Sequence, residues 1–170
     1  MHTGTSDEHI SLLENMKPLL VQPRPPNVVL PTLSSVLVST PQALALLDVS
    51  KELTFVRRTK LPLIGLIENM SGYVCPHCGD VVGVFGQGGA EDFCRQQEAK
   101  KDSPNEEEGG GCKFLGRVPI DRELVALLDA AARPDSHENE SSLARRYAQI
   151  PSFKVVSSIV DGILAQIDEQ

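Results

Sequence analysis

The chain has 170 residues, 41% of them apolar and only 4% aromatic, with no Trp and a formal net charge of −7 at pH 7. That length and apolar share suit one globular domain whose core is built from Leu, Val, Ile and Ala, and the negative surface repels phosphate backbones, so no nucleic-acid partner is expected. No apolar run approaches the roughly 20 residues of a membrane span, and the polar start MHTGTSDEH has no signal-peptide core, so a soluble, cytoplasmic protein with no membrane contact is expected.

In chain order, Thr5 with Glu8 forms a capping-box pattern, after which Ile10, Leu13 and Met16 are placed to face a core. Prolines crowd residues 21–33, VQPRPPNVVLPTL. They remove backbone donors and fix φ, which predicts an extended loop. SSVLVST, residues 34–40, reads as a short buried strand. A helix follows, with Thr40 as N-cap, Pro41 in the first turn, and Leu46, Val49, Leu53 and Val56 on one face. LPLIGLIEN, residues 61–69, is a second, nearly continuous apolar strand. Strands without polar alternation, separated by an amphipathic helix, predict a parallel sheet covered on both faces. After VFGQGG comes a third helix, then the charged and Gly-rich stretch 100–111, predicted to be a flexible loop. CKFLGRVPID supplies a third strand. DRELVALLDAAA is a helix with Leu124, Leu127, Leu128 and Ala131 on one side, RPDSHENES is a polar connection, and residues 152–167 form a last helix with Phe153, Val156, Val160, Ile163 and Ile167 in a stripe. The pattern is α/β and opens on a helix, so strands that would precede it are expected to be missing.

The chemistry concentrates in GYVCPHCGD, residues 72–80. Cys75 and Cys78 at Cys-x-x-Cys spacing present two thiolates to one ion, Pro76 stiffens the turn, and Gly79 lets the chain leave it. The pair follows a predicted strand end, where α/β proteins place function. A thioredoxin-type dithiol should open a helix, and the glycines after Gly79 do not favour one. A metal is therefore the expected ligand, with His77 a spacer. Two stoichiometries remain open. Cys94 and Cys112 could complete an intrachain four-sulfur zinc site. Alternatively, two chains could each supply Cys75 and Cys78 about a two-fold axis, giving the four thiolates of a [4Fe–4S] cluster. Cys94, beside Phe93, also reads simply as a small buried hydrophobe. A zinc-knuckle interaction module is the alternative function.

Six motifs occur in order: GTSDEH (4–9), STPQ (39–42), DVSKEL (48–53), GLIENMSGYVCPHCG (65–79), FGQGGAE (85–91) and FLGRVPID (114–121). Together they closely resemble the Mrp/MinD-type P-loop ATPases that act as cytosolic iron–sulfur cluster scaffolds. The resemblance implies one partial P-loop NTPase-like domain over residues 1–170: a partial doubly wound, mainly parallel sheet flanked by helices. In it, 21–33 and 100–111 would be insertions. It implies that Cys75 and Cys78 hold a labile [4Fe–4S] cluster shared across a homodimer or a mixed complex with a related scaffold ATPase, for transfer to apo iron–sulfur proteins. It also implies ATP and Mg²⁺, with Asn69, Pro119 and Asp121 near the adenine and Gly4 and Thr5 in a switch segment. The family's catalytic lysines sit in a Gly-rich loop, and no GxxxxGK[S/T] occurs in these 170 residues. MHT stands where the switch Asp is expected. The chain is therefore expected not to hydrolyse ATP on its own.

Overall fold

The computed structural model describes residues 7–20, 33–101, 111–132 and 140–168. Among these, helices α1 (Asp7–Leu20), α2 (Ala43–Arg58), α3 (Gly89–Lys101), α4 (Arg122–Ala131), α5 (Glu140–Tyr147) and α6 (Phe153–Asp168) alternate with strands β1 (Ser35–Ser39), β2 (Leu63–Val74), β3 (Val81–Val82) and β4 (Phe114–Ile120). The four strands form one mixed sheet with β2 at its centre. β1 and β4 lie parallel to β2, with Ser39 opposite Glu68 and Asn69 opposite Val118. β3 runs antiparallel to the end of β2. Tyr73 is in register with both Val82 and Ile120, so β3 takes the edge of β2 that β1 has already left.

The expected α/β sheet flanked by helices is present. β2 is buried over Ile64–Leu66 and again at Glu68. A core of Val49 from α2, Leu66 from β2, Ala90 and Cys94 from α3, and Cys112 before β4 packs with Leu37, Leu46, Phe93 and Phe114. Helix α6 lies against β4 and β2. There Gly116 leaves room for Ile159, because a Cβ at 116 would come within 2.7 Å of the isoleucine. Ile159 is buried while Val160, placed in the predicted stripe, is exposed. Phe153, Val156 and Ile163 of the expected stripe are half-buried; in the middle of the helix Ile159 takes the buried position in place of Val160, because the close approach is set by Gly116 on the strand. α1 packs on α2 through His9 and Phe55, edge to face at 6.2 Å, with Leu13 buried and Ile10 exposed.

Other expectations change in detail. Thr40 is not the N-cap of α2; Gln42 holds that position without a side-chain hydrogen bond. Pro41 instead packs at the start of α3, where a Cβ on Gly89 would collide with the Pro41 carbonyl. The third helix continues through Lys101, so residues 100 and 101 belong to it and not to the loop. Most of that loop, 102–110, and residues 21–32 of the Pro-rich stretch lie outside the described residues. α5 falls on and after the stretch read as a polar connection; Tyr147 meets Phe153 edge to face at 5.3 Å. With Leu124, Leu127, Leu128 and Leu143, Tyr147 lines an apolar groove of about 330 Å³. No helix among the described residues is long and apolar enough to cross a membrane.

Candidate functional site

β2 does not stop at Asn69 as its apolar run suggests. It continues to Val74 and turns through Cys75–Asp80 into β3. The turn is closed by two backbone hydrogen bonds. Cys75 N–H donates to the Asp80 carbonyl at 2.8 Å, and Gly79 N–H donates to the Cys75 carbonyl at 2.8 Å. Gly79 sits at φ +76°, a left-handed conformation that side chains resist. The hairpin therefore presents its cysteines at a tip: Cys75 is half-buried, Cys78 is exposed, and both are free thiols. Backbone N–H groups of Cys78 and then His77, together with the Cys78 thiol, lower the pKa of Cys75 below the usual thiol value. The Asp80 backbone pulls Cys78 the same way. Cys75 and the Asp80 carboxylate outweigh it and leave the Cys78 thiol raised. Two adjacent thiols that share hydrogen bonds, one biased toward thiolate, suit capture of a soft metal.

Cys94 and Cys112 are elsewhere. They are 2% and 0% exposed, inside the core cluster, with their sulfurs 3.1 Å apart. Among the described residues, no group of three or more His, Cys, Asp or Glu side chains is placed to hold a metal ion. The intrachain four-sulfur arrangement is therefore not formed. Spacing alone left this open, because the separation of the two pairs depends on where α3 and β4 pack.

The second expected site lies at the C-terminal edge of the parallel strands. Asn69 is half-buried beside Val118 on β4, and its Oδ1 accepts the Met70 N–H at 2.9 Å. Met70 has φ +56°, and between Asn69 and Tyr73 the pairing with β4 breaks register. This irregularity carries the exposed Met70 outward just before the cysteine hairpin. Pro119 is buried one residue past Val118. Asp121 is 4% exposed, and its carboxylate caps two helices. Oδ1 accepts the Glu123 N–H at 2.9 Å and the Leu124 N–H at 3.5 Å at the start of α4, while Oδ2 accepts the Ser152 N–H at 3.1 Å at the start of α6. The structure thus brings Asn69, Pro119 and Asp121 to one sheet edge. Gly4 and Thr5 lie outside the described residues.

Glu68 was missed by the sequence reading. It is 0% exposed, on the strand beside Asn69. Its carboxylate accepts the Gly88 N–H at 3.3 Å and the Ala90 N–H at 2.9 Å, at the positive end of α3. Arg117 Nε approaches it at 3.4 Å, and Arg117 Nη2 also pairs with Glu91. Glu68 therefore ties the GQGG turn to the central strand. A carboxylate inside an otherwise apolar strand was the available signal, because a buried charge requires a partner.

The sequence is similar to known proteins over most of its length. A family model described as "ParA: NUBPL iron-transfer P-loop NTPase" matches residues 1–154. The cytosolic Fe-S cluster assembly factor CFD1 of Mycosarcoma maydis is 40% identical over 166 residues, covering 98% of this chain and 36% of that protein. The cytosolic Fe-S cluster assembly factor NUBP2 of Bos taurus is 36% identical over 163 residues, covering 96% of this chain and 48% of its own length. The chain thus spans between about a third and a half of the length of these relatives. A solved nucleotide-binding protein from Archaeoglobus fulgidus, in complex with ADP, is 32% identical and covers 63% of this chain and 38% of its own, with a TM-score of 0.46. With the family model spanning all but the last 16 residues, the chain belongs to the iron-transfer P-loop NTPase family.

Proposed function

We propose that the chain acts as a scaffold for cytosolic [4Fe–4S] cluster assembly, holding a labile cluster between two subunits through Cys75 and Cys78 and passing it to apo-proteins. The observation that carries this reading is the partition of the thiols. Two stand at a hairpin tip; two are packed against each other in the core. One chain therefore offers two ligands, and a Cys₄ cluster takes four. A second subunit, either another copy or a related scaffold ATPase, completes the set, and an isologous dimer does so by symmetry. Val81 and Val82 on β3, directly after the cysteine turn, are exposed, as are Val84 and Phe85 just past β3 and Met70 on β2. Such an apolar rim suits a subunit contact. The cluster is cargo, so a half-site on each subunit suits release as well as capture.

The same reading expects no ATP hydrolysis by these residues alone. Asn69, Pro119 and Asp121 could face an adenine ring at the sheet edge, but none of them stabilises charge on a γ-phosphate. Among the described residues, β1, β2 and β4 lead into STPQ, the cysteine hairpin and the Asp121 cap. None is a Gly-rich loop with a lysine and a Mg²⁺-binding hydroxyl.

Anaerobic reconstitution with iron and sulfide tests the scaffold reading. The expected product is brown, with about four irons per pair of chains. Cys75→Ser and Cys78→Ser each abolish it, whereas Cys94→Ala and Cys112→Ala do not. A colourless protein that retains stoichiometric zinc would instead support the zinc-knuckle alternative.

A further inference from the structure

We propose that Cys94 and Cys112 form a redox site separate from the cysteine hairpin: a reversible disulfide clasp, closed by a hydroperoxide, that ties α3 to the entrance of β4. Cys94 lies in the middle of α3, and Cys112 stands two residues before β4 begins. The Cys94 thiol donates to the Cys112 sulfur at 3.1 Å. A disulfide bond is about 2.05 Å long, so closing it requires the sulfurs to approach by roughly 1 Å. Val49, Leu66 and Ala90 pack around both residues. Their confinement makes the bond-forming step effectively unimolecular.

Buried thiols are ordinarily inert, and two features set this pair apart. The hydrogen bond from Cys94, followed by the Arg57 guanidinium, pulls Cys112 toward thiolate, while the same bond and then burial push Cys94 up. One sulfur is thus biased to act as the nucleophile and the other to hold the proton. In addition, an open cavity of about 340 Å³, lined by Leu53, Arg57, Leu63 and Gly111, reaches the residue next to Cys112. A molecule the size of hydrogen peroxide fits such a space.

The chemistry balances in two steps. The Cys112 thiolate attacks one peroxide oxygen, the O–O bond breaks, and the departing oxygen takes up a proton and leaves as water, giving a sulfenic acid. The Cys94 sulfur then attacks the Cys112 sulfur. The S–O bond breaks, and the hydroxide leaves with the Cys94 proton as a second water. Two thiols are oxidised by two electrons and one peroxide is reduced. A dithiol reductant reverses the result.

The test uses the full chain carrying Cys75→Ser and Cys78→Ser, which removes the hairpin thiols and makes the outcome independent of the scaffold proposal. The protein is treated with hydrogen peroxide, denatured and alkylated. Before oxidation both remaining thiols should be labelled; afterwards neither should be. A proteolytic peptide should join Cys94 to Cys112, the protein should stay monomeric on a non-reducing gel, and the thermal midpoint should rise by several degrees. Dithiothreitol should restore alkylation of both thiols, remove the linked peptide and return the thermal midpoint to its starting value. Adding Cys94→Ala should eliminate the cross-linked peptide. The same mapping on the unsubstituted chain provides a second route if the double variant folds poorly. Thiols that stay fully alkylatable, oxidation to sulfinic acids without a linked peptide, or linkage of either cysteine to Cys75, Cys78 or another chain would each overturn the clasp.

Discussion

Replacing Asp121 should separate two helix starts at once. Its two carboxylate oxygens serve different elements: Oδ1 caps α4 through the Glu123 and Leu124 N–H groups, and Oδ2 holds the Ser152 N–H at the head of α6. Loss of an N-cap costs about 1 kcal/mol. The Leu124 contact, at 3.5 Å, adds little to the Glu123 bond at 2.9 Å. A buried bond from an amide to a charged group is worth about 1.5–3 kcal/mol, and Asp121 is almost fully buried. Asp121→Ala should therefore destabilise the fold by about 2.5–4 kcal/mol, a large share of the 5–15 kcal/mol typical of a domain. Asp121→Asn separates the two contributions. Asn is as good an N-cap as Asp, but its amide nitrogen would face the Ser152 donor, so it should lose about 1.5–3 kcal/mol. Urea titration followed by circular dichroism measures both variants. With a slope of about 1–3 kcal/mol per molar, the Ala midpoint should fall by at least about 0.8 M. Amide hydrogen exchange at Ser152 should speed up in both variants. An alanine variant within about 0.5 kcal/mol of the parent, a change ordinary for surface substitutions, would refute the double-cap account.

Glu68→Gln keeps the shape of the side chain but removes the charge that faces Gly88, Ala90 and Arg117; it should cost about 1–3 kcal/mol in the same titration and loosen the first turn of α3 in hydrogen exchange. Cluster reconstitution should convert monomer to dimer in sedimentation velocity, since each chain contributes two thiolates; a cluster-loaded protein that remains monomeric would count against bridging. Protein of these 170 residues should release no phosphate from ATP above background. Turnover that is abolished by Asn69→Ala would show that this chain carries phosphate chemistry without a Gly-rich P-loop.

Much of the architecture is local and therefore legible in the sequence. β1, α2 and β2 follow from the alternation of β-branched runs with a 3-4-3 apolar face, and α4 follows from Asp121 and the leucines behind it. The cysteine pair at the end of the central strand could be recognised for the same reason, because its spacing and its glycine are sequence-local. Other features depend on partners far along the chain. β3 has two exposed residues and exists as a strand only because the end of β2 lies beside it. Thr40 looks like a cap, yet Pro41 is engaged by Gly89, 48 residues later, and the helix starts beyond both. Ile159 replaces Val160 in the buried stripe because Gly116 opens a space that no helical periodicity reveals. Asp121 serves α6 as well as α4 across 31 residues, Glu68 reaches the head of α3 across 22, and Cys94 meets Cys112 across 18. Spacing therefore determined which residues could share a turn or a helix face. Only packing decided which charges and thiols met, because those contacts depend on the relative placement of elements that local propensity leaves free.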